Sequence, residues 1–196
     1  MTTSKSTTEH LTKLIEFQQA VYEHVLGNER DAQYELLTSL LVSGPLNSFP
    51  ELSQSPLFQR QWPSAYQALR RGQQDSERLT EYVSQQVPPH STFALDGSSW
   101  VHPRARVLDG QQFTRVPSRA VTGHAIAQGH VYSELAYIPE RRGSWASPIS
   151  TERVSLEQTP VECGIAQVEK LREARPDSRD IVTGDGYYGN HLSLIH

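Results

Sequence analysis

Two aspartates stand where a short apolar run gives way to glycine. Asp96 follows Phe93-Ala94-Leu95 and precedes Gly97-Ser98-Ser99; Asp185 follows Ile181-Val182-Thr183-Gly184 and precedes Gly186. Both patterns read as a buried strand ending in an exposed acid. Carboxylates at the ends of neighbouring strands are held rigidly enough to bind divalent cations for phosphoryl transfer. In that chemistry two ions roughly 3.5–4 Å apart serve the attacking and the leaving oxygen. Mg2+ (or Mn2+) takes hard oxygen ligands and keeps several waters, so a few acids suffice. Glycine beside each acid leaves room for a phosphate backbone to approach. Plain turn chemistry is the competing reading, because Asp followed by Gly is a common turn pair. The shared strand–helix–strand frame is what sets these two apart.

Other residue types offer less. His102, His124, His130 and His191 have no tight helical spacing, and Cys163 is the single cysteine, so a zinc site is not expected. Ser98 and Ser99 lack the Gly-x-Ser-x-Gly elbow of a serine nucleophile. Arg104, Arg106, Arg115 and Arg119 lie in a polar stretch after Asp96. They read either as a solvated loop or, with His124, as contacts to DNA phosphates. Trp100 and Trp145 could stack on a base, but a core role is the expectation. Arg70-Arg71 close a helix, where the dipole accounts for them.

The elements that must position the acids fall into two textures, residues 1–90 and 91–196. The front reads as helices. Ser6 and Glu9 have capping-box spacing, and Leu11, Leu14, Ile15, Val21, Tyr22, Val25 and Leu26 follow at helical intervals until Gly27-Asn28. Asn28 is expected to cap a second helix bearing Leu36, Leu37, Leu40 and Leu41, which ends at Gly44-Pro45. Ser55-Pro56 looks like the start of another, Trp62-Pro63 breaks the pattern, and a short helix then runs to about Gly72. Leu79, Tyr82 and Val83 mark one more before Pro88-Pro89. These stripes are expected to be core faces.

Beyond Pro89 come a strand over 91–100, a polar loop over 102–122, strands over 130–138 and 145–154, and a helix. The spacing of Ser155 and Gln158 predicts that helix's cap, with Val161, Ile165, Val168 and Leu171 as its apolar face and Pro176 as its stop. A short buried strand follows at Ile181-Val182, then the start of an apolar helix from Asn190. The class is α/β behind an all-α region.

Bulk properties bound the rest. The chain has 196 residues, 36 % of them apolar, with formal net charge -4. Its mean hydropathy is -0.55 and its pI about 6.1. That length suits one to two domains. The charge balance gives no basic footprint for nucleic acid, so a DNA-binding role must come from a local site. The polar N-terminus is no signal peptide, and no apolar run is long enough to span a bilayer, so a cytoplasmic protein is expected.

Four segments together resemble transposases of bacterial insertion sequences, of the DDE superfamily. They are Ala94-Leu95-Asp96-Gly97-Ser98-Ser99-Trp100 with Pro103-Arg104, Gly129-His130-Val131-Tyr132-Ser133, Gly143-Ser144-Trp145-Ala146-Ser147-Pro148, and Gly184-Asp185-Gly186-Tyr187-Tyr188-Gly189-Asn190. Phe17-Gln18-Gln19-Ala20-Val21-Tyr22, Leu36-Leu37, Gly44-Pro45 and Trp62-Pro63-Ser64-Ala65-Tyr66 extend the resemblance to the helical front. It implies an RNase H-like catalytic domain, a mixed sheet with flanking helices, over 91–196 behind a helical region over 1–90 that is a candidate for DNA binding. Asp96 matches the family's first acid and Asp185 its second, both as Mg2+ ligands. The third acid, usually Glu, lies on a later helix that His196 precedes; Glu157 and Glu162 do not match it.

The implied activity is metal-dependent cleavage and strand transfer at terminal inverted repeats by a homo-oligomer, with this copy truncated and inactive or nearly so alone. A non-catalytic DNA-binding or interaction remnant is the alternative. A stand-alone metal-dependent nuclease or phosphatase is a third reading.

Overall fold

The computed structural model describes residues 3–45, 48–102, 104, 105, 107–115, 125–139, 145–185 and 188. The chain divides into two compact units, Met1–Leu79 and Thr80–His196.

The first unit is helical. Helix α1 (Thr3–Ala20) runs into a π-helical turn, Val21–Val25, closed by the Leu26 N–H donating to the Val21 carbonyl at 3.0 Å. Then come α2 (Arg30–Val42), α3 (Phe49–Leu52) and α4 (Trp62–Arg71), and α5 (Ser76–Gln85) carries the chain across the division. Ala32, Leu36, Leu52, Phe58, Ala65 and Ala68 make one apolar cluster; Val21, Val25 and Leu26 make another.

The helix starts depart from expectation. Helix α1 already includes Thr3–Ser6, so Ser6 is within the helix and cannot cap it. The N-cap of α2 is Glu29, in the left-handed region at φ 56, rather than Asn28, whose carbonyl instead accepts from Gln33 Nε2 at 2.6 Å. Ser55-Pro56 forms a turn and starts no helix. Pro63 sits in the first turn of α4, where its missing N–H costs nothing, so Trp62-Pro63 opens a helix instead of interrupting one. Several stripe residues are not core either: Leu11, Leu14, Ile15, Leu37, Leu40 and Leu41 are exposed, while Leu36 is buried. Periodicity marks an apolar face; whether it is covered depends on what packs there.

The second unit is a mixed sheet with a helix on one face. Strand β1 (Thr92–Val101) pairs antiparallel with the long β3 (Ile126–Ile138). The other edge of β3 takes β2 (Gln112–Arg115) and β4 (Ser147–Arg153), both antiparallel. Helix α6 (Pro160–Ala174) then returns the chain so that β5 (Ile181–Gly184) lies parallel to β1 on its free side. The meander, the helix crossover and the parallel return give the order β2-β3-β1-β5, with β4 on β3. Strand β2 falls within the stretch expected to be loop.

Alternation along β1 and β3 explains the layer. Phe93, Leu95, Leu135 and Tyr137 point to the α6 side, joined by Val161, Ile165, Val168 and Leu171 from the helix. Burying each large side chain fully contributes about 1.5–3 kcal/mol. Ala94, Asp96, Ser98 and Trp100 take the opposite face. Gly129 pairs with Val101 where the strands close up: a Cβ there would lie 2.2 Å from the Trp100 carbonyl oxygen.

Helix α6 has its capping box at Thr159 and Glu162, not at Ser155 and Gln158. Pro160 at the first helical position fixes Thr159 as the cap. The Glu162 carboxyl is held below its usual pKa by the Thr159 N–H and then by the Thr159 hydroxyl. Among the described residues β5 is an edge strand, and Ile181 is exposed rather than buried. The helix expected from Asn190 lies outside the described residues.

Candidate functional site

Parallel register brings the two aspartates together. The β1–β5 ladder pairs Thr92 with Ile181, Phe93 with Val182, Ala94 with Thr183 and Leu95 with Gly184. The next residues are Asp96, which lies within β1 and not at a strand end as expected, and Asp185, just past the end of β5. Adjacent strands lie about 4.8 Å apart, so the two acids are neighbours across the sheet. Both are exposed. Asp96 Oδ1 accepts from the Gly97 N–H at 2.8 Å, which orients its carboxylate.

The ring of Tyr188 backs this pair. Its N–H donates to the Asp185 carbonyl at 3.1 Å. The side chain is 1 % exposed and belongs to the α6-side core. Glycines make its slot: a Cβ on Gly164 would lie 3.0 Å from Tyr188 Cε1 and 2.6 Å from Leu95 Cδ2, and one on Gly97 would reach the Tyr188 hydroxyl oxygen at 3.6 Å. Burial pushes the Tyr188 hydroxyl pKa up, the Ser133 side chain opposes that, and the charges of Asp96 and Asp185 both push it further up.

On the other side of Asp96, β3 presents Glu134 directly opposite it. Directly paired residues share a face, and like charges so placed repel. The three acids stand level across β5, β1 and β3. Among the described residues, however, no three His, Cys, Asp or Glu side chains gather closely enough to hold a metal ion. The donor set present fits a hard cation that takes two carboxylates and fills its shell with water or phosphate oxygens. Glu134 was not singled out in the sequence, because only the β1–β3 register reveals it. The one hint was its odd placement in an apolar, aromatic strand.

Beneath Glu134 a buried amide fixes the bulge in β3–β4 pairing between Leu135 and Ala136. Gln167 Nε2 donates to the Ser133 carbonyl at 3.1 Å, the Ser150 carbonyl at 3.3 Å and the Ser150 hydroxyl at 3.0 Å, while its Oε1 accepts from the Ser133 hydroxyl at 2.6 Å. Cys163 is buried nearby with its thiol pKa pushed up by burial, which keeps it protonated and unreactive.

The remaining expected site residues are scattered. Arg104 is exposed, in the turn that closes where the Ala105 N–H donates to the His102 carbonyl at 2.9 Å. Arg115 ends β2. Arg106, Arg119 and His124 lie outside the described residues, as does His191. Ring centroids of His102 and His130 are 5.8 Å apart, and His130 Nε2 is 2.9 Å from the Asp109 carbonyl oxygen.

Trp100 and Trp145 are not core residues: they are 59 % and 78 % exposed. Trp100 is on the face of β1 that α6 does not cover, and Trp145 precedes the start of β4, so the expectation fails for both.

Comparison with protein families, curated proteins and solved structures finds no match to this chain. No helix among the described residues is long and apolar enough to cross a membrane.

Proposed function

We propose that this chain carries the first two acids of a metal-dependent phosphodiester-cleaving and strand-transferring site of the DDE transposase type, on an RNase H-like sheet. One observation carries the reading: Leu95 pairs with Gly184 in parallel register, which sets Asp96 beside Asp185. The antiparallel strands, the helix and the parallel return of β5 against β1 support it.

Asp96 and Asp185 would hold Mg2+ or Mn2+. A cation bound there supplies charge neutralisation at the phosphate and a more acidic bound water. The chain's own residues do the positioning. The Tyr188 N–H holds the Asp185 carbonyl, the Gly97 N–H orients Asp96, and Gln167 holds the strand that bears Glu134. The substrate in this reading is DNA at inverted-repeat ends, bound by a homo-oligomer in the cytoplasm.

The second reading is a DNA-binding or interaction remnant without strand transfer. Manganese binding separates the two. Titration of the chain with Mn2+, followed by electron paramagnetic resonance, should show a weak site that Asp96→Asn and Asp185→Asn each weaken by about tenfold, with unchanged circular dichroism. Slow Mn2+-dependent nicking of supercoiled plasmid should disappear in both variants. Unaltered Mn2+ affinity in both would remove the acids from any metal site and leave the remnant reading standing.

A further inference from the structure

The face of the sheet that carries Asp96 continues into a row of rings. Residues alternate along β1, so Asp96, Ser98 and Trp100 share that face, and their partners on β3 are Glu134, Tyr132 and His130. Trp100 and Tyr132 meet with centroids 5.6 Å apart, tilted by 55°. Tyr132 in turn touches His130 edge-on at 6.3 Å. Trp100 nonetheless leaves 59 % of its surface open. His130 itself is buried, and exposed Phe113 and Ile126 lie further along this face, but from Asp96 to Trp100 the row has no aliphatic side chain and suits a flat, polar-edged ring.

Charge is graded along the same strand. The acids lie at one end; the His102–Ala105 turn with exposed Arg104 lies just past Trp100 at the other. At about 3.3 Å per residue, Trp100 is roughly 13 Å from Asp96. A strand with one phosphate at the acids would thus place a base over the tryptophan and a further phosphate near the guanidinium.

We propose that Trp100, supported by Tyr132, is a stacking platform for an unpaired base of a single DNA strand, with Arg104 taking a neighbouring phosphate. The proposal rests on the DNA reading above for its direction along the strand, though not on cleavage. Stacking on an aromatic side chain is worth enough to change affinity about tenfold per base.

The test is binding of the whole chain, in EDTA, to a short fluorescein-labelled oligothymidylate and to an abasic strand of equal length and charge, read by anisotropy. The abasic strand keeps the phosphates and removes only the stack. The chain should prefer the thymidylate by about tenfold. Trp100→Ala should abolish the preference, and Trp100→Phe should retain it. The platform is overturned if the abasic strand binds as tightly, if Trp100→Ala keeps the preference with circular dichroism unchanged, or if a duplex of the same sequence binds as well as the single strand. Should Asp96→Asn leave Mn2+ binding intact while the Trp100 results hold, the strand-transfer reading fails and the platform stands.

Discussion

Replacing Arg175 with methionine removes the group that ties the starts of β1 and β5 together. Arg175 is almost wholly buried. Its Nη1 donates to the Ser84 and Val87 carbonyls at 2.6 and 2.8 Å, and its Nη2 donates to the Pro88 carbonyl at 2.7 Å. Its Nε reaches Asp180 Oδ2 at 2.7 Å. Asp180 Oδ1 accepts from the Ser91 N–H at 2.8 Å, and the Ile181 N–H donates to the Ser91 carbonyl at 2.9 Å, which begins the ladder that ends beside Asp96 and Asp185. A slip of one residue there would turn Asp185 to the other face.

Breaking a buried charged pair costs about 3–5 kcal/mol, since the surviving charge is stranded. The three carbonyls lose their donor as well, at about 1–3 kcal/mol each if they stay dry. Water reaching them limits the total, so about 3–5 kcal/mol is expected, a fall in Tm of about 10–20 °C.

Acid should shrink that difference. Burial acts to raise the Asp180 pKa, but hydrogen bonds from Arg175, Ser178 and Ser91, with the Arg175 charge, hold it below the usual value. The stability this depressed pKa contributes is fully present above an unfolded value near 4 and is lost as pH falls through the folded value. Urea unfolding at neutral pH and below about pH 4 measures both effects. A neutral-pH loss under about 1 kcal/mol, or a gap between the two proteins that ignores pH, would refute the clamp.

Two further substitutions probe the support behind the acids. Gln167→Leu strands the Ser133 and Ser150 carbonyls and should cost about 2–3 kcal/mol in urea unfolding; a neutral outcome would mean the bulge does not need the amide. Gly164→Ala sets overpacking against Leu95 and Tyr188, about 1–3 kcal/mol, against a helix-propensity gain of about 1 kcal/mol. A net loss of about 1 kcal/mol and weaker Mn2+ binding are expected, whereas a stabilised variant would show that the Tyr188 slot is loose.

The amino-acid order by itself determined the local features. Apolar runs ending in Asp-Gly located Asp96 and Asp185, the stripe of Val161, Ile165, Val168 and Leu171 located α6, and Pro176 marked its end. Those signals are short-range, set by backbone preference and by which side chains can share a face. What lay between segments was decided only in three dimensions. The sequence could not place Glu134 opposite Asp96, because strand register depends on how two distant segments align. It gave no sign that Trp100 stays open while Tyr188 is buried, because burial depends on what packs over a side chain and both are aromatic residues following glycine and aspartate. Nor could it choose Thr159 over Ser155 as the cap without the fixed φ of Pro160 being weighed against a matching pattern four residues earlier. Register and coverage are properties of pairs of elements, and pairing energies are summed over the whole sheet, so no local window contains them.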